Sequence, residues 1–232
     1  LADRLDTLAG LFAAGLAPTG NKDPFAQRRA ALGLVQNIIA WDIDLELRAS
    51  LDLAADRLPL SASAESQAAV LSFIMERLRN VLLEQGRRYD VVDAVLAAQG
   101  NWPARAAHGV AELSAWTRRP DWKDILPAYA RCVRITRDLQ EVFPVAEANF
   151  LEPAESDLYG ALKHAQATHR RAGSVEDFLQ AFTPLIPAIN QFFDRVLVMA
   201  EDETVRKNRL GLVQAIAALA DGVADMSRLE GF

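Results

Sequence analysis

The stretch FFDRVLVMAEDETVRKNRLGLV (residues 192–213) changes from apolar to charged and back to apolar, a pattern that indicates a junction between two helices. Three consecutive acids precede its basic residues, and acidic side chains stabilise the positive end of a helix. On a helix that begins at Glu203, Arg209 falls near the middle of the apolar face, whereas Arg206 and Lys207 fall outside it. The stretch therefore predicts two packed helices with one arginine directed between them.

An arginine directed into a core requires a partner, because a buried charge persists only when it is paired and hydrogen-bonded. Asp194, on the preceding helix, is the nearest acid outside the first turn of the helix that carries Arg209. We therefore expect Arg209 and Asp194 to form a structural ion pair between the last two helices. Arg206 and Lys207 are expected to face solvent.

Helical periodicity recurs along the whole chain, and no segment shows the alternation of a β-strand. Asp23 followed by Pro24 is typical of a helix start, with the acid as the cap and the proline in the first helical position. Pro184 and Pro187 should kink or divide the helix that contains them. The sequence thus predicts an all-α protein with helices at residues 1–14, 23–41, 45–58, 64–86, 89–99, 103–118, 122–140, 154–172, 175–198 and 203–227.

The best candidate for a domain boundary is the turn-rich segment TRRPDW (residues 117–122). It divides the sequence into a predicted helical unit at residues 1–120 and a helical bundle at residues 121–232. The first residue, Leu1, is not a methionine, and we expect the sequence to be part of a longer one.

Composition narrows the class of function. The chain carries a net charge of −6, and residues 121–232 hold 12 Lys and Arg against 17 Asp and Glu, a local net charge of −5. This balance argues against an indiscriminate DNA or RNA binder, so any nucleic-acid contact must come from small basic clusters. No apolar run reaches the roughly 20 residues of a membrane span, and the single Cys132 excludes an internal disulfide. We expect a soluble, cytoplasmic protein without a membrane partner.

No self-contained active site is visible in the sequence. His108, His164 and His169 do not have the spacing of a metal site, and there is no glycine-rich phosphate loop. Cys132 lies on the apolar stripe of its predicted helix, which favours a small core residue over a nucleophile. The sequence predicts no catalytic residue, no metal site and no cofactor site within this chain.

The predicted helix at residues 122–140 carries the most informative basic cluster. Arg131 and Arg134 point away from its apolar stripe, one turn apart, and Arg137 lies at the margin. Two interpretations remain open for this face. It is either a solvated face, with Asp138 one turn after Arg134, or a surface that contacts phosphates or bases of a nucleic acid.

Three stretches of the sequence resemble one known family. The stretch at residues 192–213 resembles the C-terminal signature of the bacterial glycyl-tRNA synthetase β subunit. Two other stretches of that subunit have counterparts here, in the same order. The first is LADRLDTLAGLF together with PTGNKDPFAQRRAALG, and the second is RRYDVVDAVLA (residues 87–97). The resemblance spans almost the whole chain.

The resemblance implies the end of an HD-like helical domain, a helical connector, and an anticodon-binding domain similar to that of arginyl-tRNA synthetase. It implies the tRNA-recognition portion of a two-subunit glycine–tRNA ligase. The expected partners are tRNA(Gly) and the α subunit, which would carry the glycine site and use ATP and Mg. This chain alone is expected to be non-catalytic.

The resemblance also extends to single residues. Asp3 matches a metal ligand of HD hydrolases, but its histidine partners are not in this sequence. Arg28, Arg29, Arg134, Asn208 and Arg209 match family positions, whereas Gln27, Val133 and Arg137 depart from the family pattern. The departures at Val133 and Arg137 favour phosphate contacts over base contacts on that helix. The residues predicted to contact RNA are Arg28, Arg29, Arg131, Arg134, Arg137, Arg206 and Lys207.

Two alternative functions stay open. ADRLDTL is also compatible with a degenerate HD-type phosphohydrolase fragment, and the acidic net charge is compatible with a helical scaffold that has no RNA role.

Overall fold

The computed structural model describes all 232 residues, and its regular structure is helical apart from one isolated β-bridge between Thr19 and Lys22. The all-α prediction is confirmed. None of the helices is both long and apolar enough to cross a membrane. The α-helices are α1 (Ala2–Ala13), α2 (Gln27–Ala40), α3 (Leu47–Ala55), α4 (Ala64–Glu84), α5 (Tyr89–Gln99), α6 (Pro103–Trp116), α7 (Trp122–Thr136), α8 (Pro153–Ala167), α9 (Val175–Phe182), α10 (Ile186–Arg195) and α11 (Glu203–Ala217).

The start of α2 differs from the prediction. The carboxylate of Asp23 accepts hydrogen bonds from the backbone N–H groups of Gln27, at 2.8 Å, and Arg28, at 2.9 Å, so it caps the helix. Pro24 nevertheless lies in a turn that precedes α2 and not in its first helical position, because Ala26 adopts a left-handed backbone with φ of 53°. A left-handed residue cannot continue a right-handed helix, so α2 begins at Gln27.

The prolines of the predicted helix at residues 175–198 divide it as expected. Helix α9 ends at Phe182, a 3₁₀ turn covers Thr183–Leu185, and α10 begins at Ile186 with Pro187 in its first turn. Proline is tolerated there because the first-turn N–H groups have no partner within the helix.

The last predicted helix is too long. Helix α11 ends at Ala217, followed by a 3₁₀ turn and by Gly222 with a left-handed φ of 70°, so residues 218–227 do not continue it. Helix α7 likewise ends at Thr136, four residues before the predicted end at residue 140.

The N-terminal unit, Leu1–Ala111, is built around α1 to α5. Helices α1, α2 and α3 pack against the long α4. Fully buried core side chains of these helices include Leu8, Leu34, Ile38, Ile74 and Leu78.

The C-terminal unit, Glu112–Phe232, contains α7 to α11. Its core is aromatic: the ring of Tyr129 lies edge-on to Phe178 and Phe182, with centroids 6.0 and 5.6 Å apart. Helix α7 packs against α11 and α10, and α10 packs against α8. These contacts bury one side of α7 and leave its other side at the surface.

The division between the units lies within α6, before the boundary that the sequence suggests after residue 120. The end of α6 belongs to the C-terminal unit because it bonds to α9. Glu112 accepts hydrogen bonds from the Ser174 hydroxyl and from the backbone N–H of Glu176, and the Trp116 indole N–H donates to the Glu176 carboxylate.

Candidate nucleic-acid interface

The exposed side of α7 carries the basic cluster found in the sequence. Ile125, Tyr129 and Cys132 are buried on the opposite side, as predicted, and burial raises the pKa of the Cys132 thiol to about 12. Arg134 is exposed, and the side chain of Arg131 is 40% exposed. The structure thus brings two arginines together on one outward face but surrounds them differently.

Arg131 is held against α10. Its guanidinium carbon lies over the Phe193 ring, 4.6 Å from the ring centroid, and one of its nitrogens is 3.7 Å from the Asp194 carboxylate. A second nitrogen donates to the side-chain oxygen of Asn190 at 3.4 Å. The positive charge of Arg131 is therefore partly balanced within the protein.

Arg134 has no carboxylate within ion-pair distance. Its guanidinium carbon is 5.6 Å from the centroid of the Phe232 ring, a cation–π contact that leaves the charge uncompensated. Arg137, just after the end of α7, lies 3.7 Å from Asp138, and both side chains are largely exposed. Of the three predicted arginines here, Arg134 is the one whose charge is free to meet an anion.

The basic residues of α11 have intramolecular partners. The Arg206 guanidinium donates to the carbonyl oxygens of Ala200, at 2.9 Å, and Glu201, at 3.4 Å, which closes the loop before the helix. The Lys207 ammonium lies 2.8 Å from the Glu203 carboxylate, which raises the pKa of the lysine. These contacts give both residues a role within the fold, and their predicted RNA contacts stay a prediction.

The remaining predicted RNA contacts lie in the N-terminal unit, on α2. Arg28 donates to the Gly20 carbonyl oxygen and lies 4.0 Å from the Asp23 carboxylate, whereas Arg29 is exposed.

Arg209 forms a buried ion pair, but the predicted partner is wrong. Its guanidinium donates to Glu155, on α8, at 2.9 and 3.3 Å, and to the Leu197 carbonyl oxygen at 3.0 Å. The side chain of Glu155 is fully buried and that of Arg209 is 8% exposed. Asp194 cannot take this place, because it lies exposed near the end of α10, where it faces Arg131.

The Glu155 carboxylate also organises the start of α8. It accepts hydrogen bonds from the backbone N–H groups of Leu151, at 2.8 Å, and Glu152, at 2.7 Å. Together with the bond from Arg209 to Leu197, the pair connects α8, α11 and the chain that follows α10. The buried pair therefore fixes three segments of the C-terminal unit.

Helix α11 also holds the loop between α7 and α8. The Asn208 side-chain oxygen accepts from the backbone N–H of Ala146 at 2.7 Å. The Gln214 amide accepts from the Phe143 N–H at 3.0 Å and donates to the Glu141 carbonyl at 2.8 Å. Sequence reasoning missed this contact; its signal is the pair of amide side chains, Asn208 and Gln214, within one otherwise apolar and charged helix.

A polar groove of about 500 Å³ follows the end of α8 and includes His169, Arg170 and Arg171. Its two arginines are already bonded: Arg170 donates to the Leu219 carbonyl at 2.8 Å, and Arg171 donates to both oxygens of Asp177. No group of three or more His, Cys, Asp or Glu side chains is placed to hold a metal ion.

Known proteins resemble this chain over both units. Residues 1–97 match the family described as glycyl-tRNA synthetase beta subunit, and residues 125–224 match the DALR anticodon binding domain. The glycine–tRNA ligase beta subunit of Moorella thermoacetica is 40% identical to this chain, in an alignment that covers 99% of this chain and 34% of the relative. The chain belongs to the glycyl-tRNA synthetase β-subunit family.

Other relatives in this family are similarly close. The glycine–tRNA ligase beta subunit of Aromatoleum aromaticum is 39% identical over 99% of this chain and 34% of its own length. The chloroplastic/mitochondrial glycine–tRNA ligase 2 of Arabidopsis thaliana is 37% identical over 100% of this chain and 22% of its own length. The chain spans about a third of the length of the bacterial relatives.

Membership of the β-subunit family confirms the resemblance seen in the sequence. The DALR segment, residues 125–224, contains Arg131, Arg134 and the Glu155–Arg209 pair. The exposed face of α7 is thus part of a helical anticodon-binding domain, and the buried pair is part of that domain's framework.

The buried pair should make stability depend on pH. Burial alone would raise the pKa of Glu155, but the hydrogen bonds from Arg209, Glu152 and Leu151 outweigh it and hold this pKa below its usual value. A carboxylate whose pKa is lower in the folded than in the unfolded state stabilises the fold at pH values above its unfolded-state pKa, which is about 4.3 for glutamate. This stabilisation is lost as the pH falls below that value. We expect the stability difference between wild type and Glu155→Gln to be constant from pH 7 to 5 and to shrink below about pH 4.3.

Urea unfolding at a series of pH values measures this difference. The other carboxylates with lowered pKa, such as Asp23 and Asp225, titrate equally in both proteins and cancel in the comparison. A difference that stays the same down to pH 3 would show that the Glu155 charge contributes nothing to stability.

Proposed function

We propose that this chain supplies part of the tRNA recognition of a glycine–tRNA ligase and contacts tRNA(Gly) through the exposed face of α7. The observation that carries this proposal is Arg134, an exposed and uncompensated cation within the DALR segment. The proposed partners are tRNA(Gly) and a glycyl-tRNA synthetase α subunit. Glycine activation, with ATP and Mg, is assigned to that subunit, and the complex is proposed to act in the cytoplasm.

Electrostatics supports a local contact. The unit that contains α7 is acidic overall, so a polyanion is attracted only where cations are not matched by carboxylates. Most cations of this unit are matched: Lys163 pairs with Glu147, Arg171 with Asp177 and Arg228 with Asp225. Arg134, which lies on the outward face of α7 without a carboxylate partner, is therefore suited to contact a phosphate.

No specific contact favours the two alternative functions. Asp3, the residue that matches an HD metal ligand, is exposed in the first turn of α1, with no acid or histidine trio around it that could hold a metal. A scaffold without an RNA role is supported only by the acidic net charge, and the Arg134→Ala measurement below distinguishes it from the proposal.

Replacing Arg134 with alanine tests the proposal. If this residue contacts a phosphate, binding to tRNA(Gly) and to an unrelated tRNA should weaken by the same factor, and the salt slope should become shallower by about 0.7–0.9. The measurement is tRNA affinity at several salt concentrations, for variants whose thermal melting is unchanged.

Lys163→Ala is the matched control, since it removes an exposed cation that is already paired with Glu147. Its affinity for tRNA should stay at the wild-type value. Wild-type affinity for Arg134→Ala as well would refute a phosphate contact at Arg134 and leave this side chain to solvent.

A further inference from the structure

The two outward arginines of α7 differ in a way that indicates two kinds of contact. Arg134 has no carboxylate partner, whereas Arg131 lies over an aromatic ring and next to a carboxylate. A phosphate contact is strongest with an unpaired charge, and the charge of Arg131 is partly balanced by Asp194. Its surroundings suit a neutral, planar ligand instead.

Arg131 and Phe193 together form a cation–π pair at the surface. The guanidinium lies over the Phe193 ring, and that ring contacts the fully buried Phe192 edge-on, with centroids 5.5 Å apart. Because the Arg131 side chain is 40% exposed, part of the guanidinium remains accessible. Unstacked bases of RNA stack on aromatic side chains and on guanidinium planes of this kind.

The edge of this surface carries hydrogen-bonding groups. Asn190 and Asp194 lie one turn apart on α10, and both are exposed at the side of Arg131. The nearest approach of Asp194 to Arg131 is 3.7 Å, longer than a hydrogen bond, and its side chain is 70% exposed. Its carboxylate is therefore available to accept a hydrogen bond from a ligand.

We propose that Arg131, Asn190, Phe193 and Asp194, called here the α7–α10 platform, bind one unstacked nucleobase of the tRNA. The base stacks on Arg131, and Asp194 accepts a hydrogen bond from its exocyclic amino group. A carboxylate reads the amino group of cytosine in this way, and it repels the carbonyl oxygen that uracil carries at the same place. This inference rests on the proposed tRNA binding and adds the residues that distinguish one base from another.

Arg131→Lys separates stacking from charge. The variant keeps the positive charge and loses the guanidinium plane, so a phosphate contact would survive it and a stacking contact would not. We expect the Kd for tRNA(Gly) to rise roughly tenfold with an unchanged salt slope, since base stacking contributes on this order.

Arg119→Lys is a closely matched control. The Arg119 guanidinium also lies over an aromatic ring, 3.8 Å from the Trp116 centroid, and it also pairs with a carboxylate, Asp121 at 2.7 Å. This variant loses the same intramolecular contacts outside the platform. Its affinity for tRNA(Gly) should equal that of wild type.

Asp194→Asn tests base reading by a double-mutant cycle. The ligands are tRNA(Gly) transcripts in which each cytosine of the anticodon loop is changed in turn to uracil. We expect one of these changes to weaken wild-type binding roughly tenfold and to weaken Asp194→Asn several-fold less, because an amide can donate to the uracil oxygen. If Arg131→Lys lowers the melting temperature, its weaker binding can result from partial unfolding. The double-mutant cycle at Asp194 then tests the platform without that variant.

The outcomes separate the platform from the broader proposal. Equal weak binding of all tRNAs by wild type, with no effect of Arg134→Ala, would refute tRNA recognition itself. A loss with Arg134→Ala, together with wild-type affinity for Arg131→Lys and no coupling between Asp194 and any cytosine, would refute the platform alone. In that case the contacts of Arg131 serve only to join α7 to α10.

Discussion

Replacing Arg209 with alanine should lower the free energy of unfolding of the C-terminal unit by about 3–5 kcal/mol, because the change leaves Glu155 buried without its counter-charge. The variant also removes the hydrogen bond to the Leu197 carbonyl, which holds the chain after α10. Urea unfolding followed by circular dichroism measures the loss.

Lys207→Ala is the control on the same helix. Lys207 also forms an ion pair, with Glu203 at 2.8 Å, but both side chains are exposed, and exposed pairs contribute about 0–1 kcal/mol. The double variant Glu155→Met with Arg209→Met should recover part of the stability lost in Arg209→Ala, since it leaves no unpaired charge. If Arg209→Ala unfolds at the wild-type urea concentration, the pair does not stabilise the domain.

That Arg209 is buried could be predicted from the sequence, but its partner could not. Burial follows from local spacing, because a helix places every third or fourth residue on one face. The partner depends on which helices pack together, and Glu155 is 54 residues away. In the sequence Glu155 is one of several acids near a helix start, and Asp194 is nearer along the chain.

Helix positions were predictable to the extent that local chemistry determines them. Pro184 and Pro187 divide α9 from α10 because proline lacks an N–H wherever it occurs. The Asp23 carboxylate accepts from the first N–H groups of α2, but Ala26 and not Asp23 occupies the cap position. The left-handed backbone of Ala26 delays the helix, and nothing about an alanine indicates such a conformation. The end of α11 was missed since residues 218–227 remain as apolar as the helix before them.

For the candidate interface, the sequence indicates which way the arginine side chains of α7 point, but not which residues of other helices lie next to them. Arg131 and Arg134 face outward because the apolar stripe of α7 faces inward. Only the packing of α10 against α7 shows that Phe193 and Asp194 meet Arg131 and not Arg134. This packing separates a compensated arginine from a free one.

The structure also explains why the charged stretch before and within α11 is so dense. Arg206 bonds to the loop before the helix, Asn208 to the loop between α7 and α8, and Arg209 to α8. Each side chain binds a different segment, so α11 is the element that organises the domain. The loop between α7 and α8 lies close against it, and the closest approach is at Gly211.

Replacing Gly211 with alanine should therefore destabilise the protein, although alanine is the better helix former. A Cβ atom at this position would lie 2.5 Å from the Phe143 carbonyl oxygen and 3.1 Å from its carbonyl carbon. Alanine gains about 1 kcal/mol over glycine inside a helix, but displacing a backbone costs more, typically 1–3 kcal/mol and occasionally beyond. We expect a net loss of up to about 2 kcal/mol in the free energy of unfolding.

Gly160→Ala provides the opposite case. Gly160 lies within α8, and a Cβ atom there would meet nothing within 4 Å, so the same substitution should stabilise the protein by up to about 1 kcal/mol. The two variants measured side by side by urea unfolding should thus shift in opposite directions. If Gly211→Ala is also stabilising, the loop at Phe143 yields without cost, and its hydrogen bonds to Asn208 and Gln214 do not hold it against α11.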